Sequence, residues 1–435
     1  MDRNSKSGTQ EPTNILKTVL ENYTSSTNLE TMPMGETDTL ISKNHKIAII
    51  ASLSILAIIY WILFDFLRQI EFDTSSFIGA SRLMFHLEGG YNFQSRLSKP
   101  LVLILPGLVE YLSGIHPKHI FLAQNLVCYY ALGFIVYKTI YLITQNTRQA
   151  LLAVLAYFMC QPFAVYSLFY LVDTVGWFFG FYTIYLTLKY FPQPIIDAKK
   201  VTVISCIAGI GMLTKESAIV GILFMILYLL FNFYPLKTKI KYLFLASLFF
   251  LIPFLVSNML TQKYYGVSVF QRVIEQQTSQ GLVFYNKGNF QQLFRIVDVY
   301  WVLFAVGLWQ VFKSFRLKNS GNTLGILLLT ALIALLLMPL YPFIVDRILF
   351  MVAPILIVFI AIGSSLFEKF AYPAIIIGGI INISMTYLIY RYNTSGILLK
   401  GLVLYLLILT AFFIVKKFRE KKLIITPSNP PMAGR

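Results

Sequence analysis

Long apolar runs broken by short polar and basic clusters recur through most of this chain. A hydrocarbon core is crossed by about 20 apolar residues. Windows of that kind fall at about 47–66, 118–142, 150–170, 174–191, 201–214, 216–234, 241–262, 297–312, 323–341, 348–366, 371–390 and 397–415. The pattern predicts an all-α polytopic membrane protein with about twelve transmembrane helices. The cut between 201–214 and 216–234 rests on Thr214-Lys215-Glu216.

Two loops on one side of this layout are long. In the first, about 68–117, Phe77, Ala80, Leu83, Met84 and Leu87 recur at helical spacing with Ser, Arg and His between them. That spacing predicts an amphipathic helix lying in the membrane interface. The segment "KPLVLILPGLVEYLSG" (Lys99 to Gly114) is apolar, but only about 14 residues precede its final Gly, short for a span, and Pro106-Gly107 should break it. It reads as a re-entrant or juxtamembrane helix, with a full span as the alternative. The second outer loop, about 263–296, is polar and aromatic and carries Arg272, Glu275, Lys287 and Arg295. The domain plan is a polar N-terminal tail (1–42) that reads as disordered, a membrane domain (43–422) and a C-terminal tail (423–435). No cleavable signal peptide is read ahead of the first span, and no internal repeat supports a transporter of matching halves.

Composition strengthens the membrane reading. Of 435 residues, 57% are hydrophobic and 13% charged, against about 25% charged in soluble domains. The formal charge of +17 would suit nucleic acid if it formed one patch. Instead the basic residues sit in clusters between spans: Lys43 and Lys46, Arg148, Lys199-Lys200, Lys237 to Lys241, Lys313 to Lys318, Lys369, and Lys416 to Lys422. With alternating spans these share one face, which the positive-inside rule makes cytoplasmic. Both termini are then cytoplasmic, the chain lies in the cell (inner) membrane among membrane lipids, and nucleic acid is not a partner. Cys128, Cys160 and Cys206 lie far apart within apolar segments, so neither a disulfide framework nor a zinc site is indicated. His116 and His119 stand three apart around Pro117 and make a poor metal pair. No metal site is assigned.

Ionisable groups at membrane depth are costly and mark function. Here they gather toward the outer face from segments far apart. Glu71 and Asp73 end the first span in "IEFDTSSF". Asp173 heads a span in "YLVDTVGWFFGFYTIYL", Lys215 and Glu216 fall in "GIGMLTKESAIVG", and Asp346 and Arg347 fall in "YPFIVDRILF". Each also has a structural reading: a solvated flank for Glu71 and Asp73, a helix cap for Asp173, a tight turn for Lys215 and Glu216, a self-neutralised pair for Asp346-Arg347, and a surface ion pair for Asp65 with Arg68.

In order, Glu71-Phe72-Asp73, then "RLSKPLVLILPGLVEYLSG", the span headed by Asp173, and Leu213-Thr214-Lys215 resemble the polyprenyl-phosphate-dependent membrane glycosyltransferases of the GT-C type. Protein O-mannosyltransferases and the lipid A aminoarabinose transferase belong to that superfamily. Its modified Asp-x-Asp is matched by Glu-x-Asp, and its Lys-Pro-Pro-Leu by Lys99-Pro100-Leu101, which lacks the second Pro. The resemblance covers about residues 45–235. It implies a polyprenyl-phosphate-linked sugar donor and a lipid, glycan or protein acceptor.

Such a donor already has a good leaving group, so no general acid is required. A carboxylate must take the acceptor's proton, and cations must hold the phosphate as charge develops. The resemblance assigns the base to Asp73, with Glu71 as helper. Lys215 and Arg347 are the expected phosphate clamps, with Arg96, Lys99 and Arg272 in reserve. Asp173 and Glu216 are expected in the substrate cavity, and attack opposite the phosphate should invert the anomeric centre. The residues name no cofactor. Some superfamily members use a divalent ion, for which Glu71, Asp73 and Asp173 would be the candidate ligands. A transporter or lipid flippase would place its charges at the midplane instead. A non-catalytic scaffold would leave the carboxylates pointing apart.

Overall fold

A computed structural model describes residues 41–64, 72–87, 96–192, 196–232, 234–266, 268, 271, 287–315, 322–338, 345–392 and 396–425. Asp65, Arg68, Glu71, Arg272, Glu275, the N-terminal 40 residues and the last ten fall outside them. Among the described residues the protein is helical, with no strand.

The first helix, α1 (Lys43–Phe64), is followed by α2 (Phe72–Met84), α3 (Pro100–Ser113) and α4 (Pro117–Thr144). Next come α5 (Thr147–Phe158), α6 (Gln161–Tyr166), α7 (Asp173–Tyr190), α8 (Ala198–Met212), α9 (Ile219–Phe231) and α10 (Leu236–Tyr265). The second half comprises α11 (Lys287–Phe294), α12 (Trp301–Phe315), α13 (Asn322–Leu337), α14 (Asp346–Leu349), α15 (Ala353–Ser364), α16 (Ala371–Tyr392) and α17 (Ile397–Ile425). Among the described residues, five stretches are long and apolar enough to cross a membrane: Lys43–Phe64, Pro117–Thr144, Leu236–Tyr265, Asp346–Tyr392 and Ile397–Phe418. The 47-residue stretch contains a kink, because Glu368 has φ +45°, outside any helix. Shorter apolar helices include Glu216–Phe231 and Thr323–Leu337. This is the architecture of an integral, polytopic membrane protein.

Most apolar windows coincide with a helix, and the cut at Thr214-Lys215-Glu216 is real: α8 ends at Met212 and a 3-10 turn begins at Glu216. Two expectations change. The window 150–170 is not one helix. Cys160 is extended (φ −76°, ψ 148°), and Pro162 stands in the first turn of α6, where a residue without an N–H costs nothing. Nor does Pro106-Gly107 break the short apolar segment, since α3 runs through both and stops at Gly114 (φ +72°). The glycine serves packing here: a Cβ on Gly107 would sit 2.3 Å from the carbonyl oxygen of Ser81 on α2.

At 1.5 Å per residue α3 is about 21 Å long, below the ~30 Å of a hydrocarbon core. The amphipathic helix appears as α2, but protein covers its apolar face. Phe77, Ile78 and Ala80 join Val102 and Leu103 of α3, Phe121 of α4, and Val172 and Val175 in one buried cluster. α2 is therefore fixed on top of the bundle, and Asp73 with it. The opposite extreme is α15, buried along its whole length. α10 instead exposes Leu236, Ile240, Phe244, Leu248 and Leu255, side chains suited to lipid.

Candidate active site

Asp73 lies in the first turn of α2, where a carboxylate is favoured by the helix dipole. Its oxygens are divided between two arginines: Oδ1 accepts from Arg96 and Oδ2 from Arg347. Arg96 is aimed by two further contacts. Its Nε donates to Ser76 Oγ at 3.0 Å, and its guanidinium lies over the Phe77 ring, 4.8 Å from the centroid. Ser76 in turn donates to the Asp73 carbonyl at 2.7 Å. Burial would push the Asp73 carboxyl up, but Arg347, Arg96 and Lys215 outweigh it and hold it below its ordinary range.

Two more ion pairs stand beside this one. Lys99 Nζ lies 2.5 Å from Glu216 Oε1, and Lys215 Nζ lies 3.4 Å from Asp173 Oδ1. Lys99, Lys215 and Asp173 are almost fully buried. Burial, together with the charges of Lys215 and Arg96 and against the pull of Glu216, brings the Lys99 amine down to about 8. Lys215 is delivered by an extended backbone (φ −161°) between α8 and the 3-10 turn. Its closeness to Asp173 needs Gly176, one turn along α7, because a Cβ there would sit 2.4 Å from the Cβ of Lys215. From the far end of the chain, Arg347 is anchored by the Trp177 indole N–H, which donates to its carbonyl at 3.3 Å. Its guanidinium also lies 5.9 Å from the Tyr166 ring centroid.

These four ion pairs form one electrostatic unit, since Lys215 acts on Asp73, Asp173 on Arg347, and Arg96 on Lys99. Among the described residues, four cations (Arg96, Lys99, Lys215, Arg347) face three carboxylates (Asp73, Asp173, Glu216) in these ion pairs, one positive charge more than negative. The structure thus gathers every described residue that the sequence suggested, and Glu71 lies outside the described residues. Each expected phosphate clamp is already engaged with a carboxylate.

The structural readings of Asp346-Arg347 and Asp173 are corrected, and two further polar groups find their partners. Asp346 and Arg347 do not neutralise each other, because Arg347 reaches across to Asp73. Adjacent residues in a helical turn point about 100° apart, at 3.6 residues per turn. Asp173 is not a helix cap but a buried partner of Lys215. Glu110 faces Arg82, whose guanidinium donates to it at 2.7 and 3.0 Å. His116 caps α4, accepting the Lys118 N–H at 3.2 Å. Sequence reasoning missed Ser76, visible only as the residue three after Asp73, and Trp177, one aromatic among many.

A divalent ion does not fit the described donors. Both oxygens of Asp73 are taken by guanidinium groups, and Asp173 faces Lys215 and Arg347. Among the described residues no three His, Cys, Asp or Glu side chains form a metal-binding group. Elsewhere, an apolar groove of about 250 Å³ opens between α1 and α4, lined by Ser54, Ile58, Trp61, Leu126, Tyr130 and Tyr170.

The family model described as dolichyl-phosphate-mannose-protein mannosyltransferase matches residues 99–257. That range holds Lys99, Asp173, Lys215 and Glu216 but stops short of Asp73, Arg96 and Arg347. A search of the curated proteins returns no match. Among solved structures, ArnT from Cupriavidus metallidurans in the apo state is similar at 12% identity and TM-score 0.55, over 86% of this chain and 72% of that one. Its structure bound to undecaprenyl phosphate matches at 12% identity and TM-score 0.52, over 82% and 75%. The Archaeoglobus fulgidus oligosaccharyltransferase tethered to an acceptor peptide aligns at 13% identity and TM-score 0.48, over 84% and 53%. The chain thus shares the polytopic fold of ArnT, and residues 99–257 match the sequence pattern of the dolichyl-phosphate-mannose-protein mannosyltransferase family.

Proposed function

We propose that this protein transfers a sugar from a polyprenyl-phosphate donor to a lipid, glycan or protein acceptor, with inversion, and with Asp73 as the general base. The observation that carries the reading is the convergence of Arg96, Lys99, Lys215 and Arg347 on three carboxylates, with one positive charge in excess among the described residues. A phosphodiester supplies the missing negative charge. The same donor class is named in the matching family description, and ArnT was solved bound to undecaprenyl phosphate. The apolar groove between α1 and α4 suits a prenyl chain, since its lining is almost wholly apolar.

The reaction follows from the pairing. The acceptor's oxygen or nitrogen attacks the anomeric carbon, the bond from that carbon to the phosphate oxygen breaks, and the electron pair leaves with the phosphate. Asp73 takes the acceptor's proton. A carboxylate gripped by two guanidinium groups is a weak base. When the phosphate arrives, Arg347 turns from Asp73 to the phosphate oxygens, where charge-assisted contacts are strong, and Asp73 regains its basicity. Donor binding thereby switches on the base. Transfer takes place on the non-cytoplasmic face, and both termini are cytoplasmic, the orientation that the positive-inside rule gives for the basic clusters of the sequence when the spans alternate.

Purified protein in nanodiscs, given a panel of radiolabelled polyprenyl-phosphate sugars and cell-derived lipid and glycan acceptors, should release polyprenyl phosphate from one donor. No turnover of any donor, alongside tight binding of a transported solute, would replace this reading with transport.

A further inference from the structure

Behind Arg347 lies a chain of buried polar groups that the transfer chemistry does not use. Asp346 is 4% exposed. Its Oδ1 accepts the backbone N–H of Arg347 at 2.8 Å, and its own N–H donates to Gln292 Oε1 at 3.2 Å. Its Oδ2 receives Nε2 of Gln161 at 3.4 Å. Gln161, at the start of α6, donates its backbone N–H to Asp298 Oδ2 at 3.1 Å. Asp298 is 1% exposed and holds φ +47°, a left-handed conformation that a residue with a side chain adopts at a cost. The next N–H, of Val299, donates to Asn382 Oδ1 at 3.2 Å. Four segments far apart in sequence therefore meet in one buried network, which ends on the backbone of Arg347.

Stability alone gives a poor account of this arrangement. Two carboxylates lie within a bundle where each is costly to bury. Among the described residues neither has a cation at salt-bridge distance; Arg295 acts on both through its field, and Asp346 also feels Arg347 and the Tyr166 hydroxyl. Hydrogen bonds join its members in series, while Gln161 Oε1, Asp298 Oδ1 and Asn382 Nδ2 stay buried without a partner among the described residues, a cost that stability alone does not explain. It ends on Arg347, which among the described residues links the second half of the bundle to Asp73. Positions held by several independent contacts keep a side chain aimed within the narrow tolerance that a site needs.

We propose that Asp346, backed by Gln161 and Asp298, is a positioning residue for Arg347, fixing the direction in which its guanidinium reaches Asp73 and then the donor phosphate. The assignment of the phosphate rests on the transferase reading above. The grip on Asp73 does not.

Two measurements on the full chain in nanodiscs test it. The first is the affinity for undecaprenyl phosphate of Asp346→Ala, Arg347→Ala and the double variant. Losing a charge-assisted contact weakens binding by roughly tenfold, so Arg347→Ala should bind about that much more weakly. Asp346→Ala should match it, and the double variant should be no weaker than Arg347→Ala alone. Asp346→Asn keeps an oxygen for the Arg347 N–H, and its new amide can donate to Gln161 Oε1 after that side chain flips, so it should bind as wild type. Wild-type affinity in Asp346→Ala, or losses that multiply in the double variant, would overturn the proposal. The second measurement needs no donor. The coupling between Asp73→Asn and Arg347→Ala in melting temperature should be present in wild type and in Asp346→Asn, and vanish in Asp346→Ala. Coupling that persists in Asp346→Ala overturns the positioning role. If neither undecaprenyl nor dolichyl phosphate binds even wild type, the transferase reading falls, and this thermal cycle alone decides the role of Asp346. If Asp346→Ala does not fold, Gln161→Ala replaces it in both measurements, with the same expected and overturning results.

Discussion

Arg347 donates to the carboxylate of Asp73 across 274 residues of chain, joining α2 to the second half of the bundle. Neither segment makes a site alone. Asp73 rides on α2, held on the bundle by Phe77 and Ile78, and Arg347 enters from α14 with its carbonyl tied to Trp177. The pair ties the base of the proposed reaction to one of its phosphate clamps.

Lys99 gives a prediction in pH. Its amine titrates at about 8 instead of its ordinary 10.5. Between these values the unfolded chain holds the proton and the folded chain does not, so this group makes stability rise with pH through that window. Donor affinity should move the other way, because the cation disappears as pH rises through 8. The donor KM should therefore climb above about pH 8 while melting temperature does not fall. Lys99→Arg should flatten the KM profile, since a guanidinium stays charged there. A KM that climbs equally in Lys99→Arg would assign the titration to another group.

Lys215 and Asp173 should behave as a buried pair. Removing one partner strands a charge and typically costs about 3–5 kcal/mol. Lys215→Met should lower thermal stability strongly, and Asp173→Asn added to it should restore most of that loss. Activity should not return in the double variant, because the phosphate still lacks its cation. Return of both would make the pair purely structural.

Gly176 marks where α7 must let Lys215 pass. The contact of 2.4 Å that an added Cβ would make is with the root of the lysine side chain, next to the backbone. Gly176→Ala should displace the turn at Lys215, cost about 1–3 kcal/mol as overpacking does, and raise the donor KM. Unchanged melting and kinetics in Gly176→Ala would show that the turn is free to shift.

These pairs explain why some of the site was readable and some was not. Asp73, Asp173, Lys215 and Arg347 stood out because charge within apolar sequence is costly and therefore informative. Which cation meets which carboxylate depended on tertiary packing. Lys99 reaches Glu216 and Arg96 reaches Asp73, and no spacing in the sequence encodes either choice. Adjacency misled for Asp346-Arg347, whose side chains diverge. Asp298 and Gln161 carried no signal, since a single acid at the head of the window 297–312 reads as a flank and a single amide inside the window 150–170 reads as a tolerated polar residue. The helices were legible from hydropathy, but the break at Cys160 and the continuation through Pro106-Gly107 turned on local packing.

The most direct test of the account is donor turnover by Asp73→Asn at matched membrane levels. The substitution keeps the shape of the side chain and its acceptor oxygen, yet leaves nothing to accept a proton. General-base catalysis contributes about 10²–10⁴-fold, so kcat should fall by that factor while undecaprenyl phosphate still binds. Glu71→Gln, which removes one negative charge two residues away, should cost much less. Equal and mild losses in the two variants would contradict the account, reducing Asp73 to a charged flank of α2.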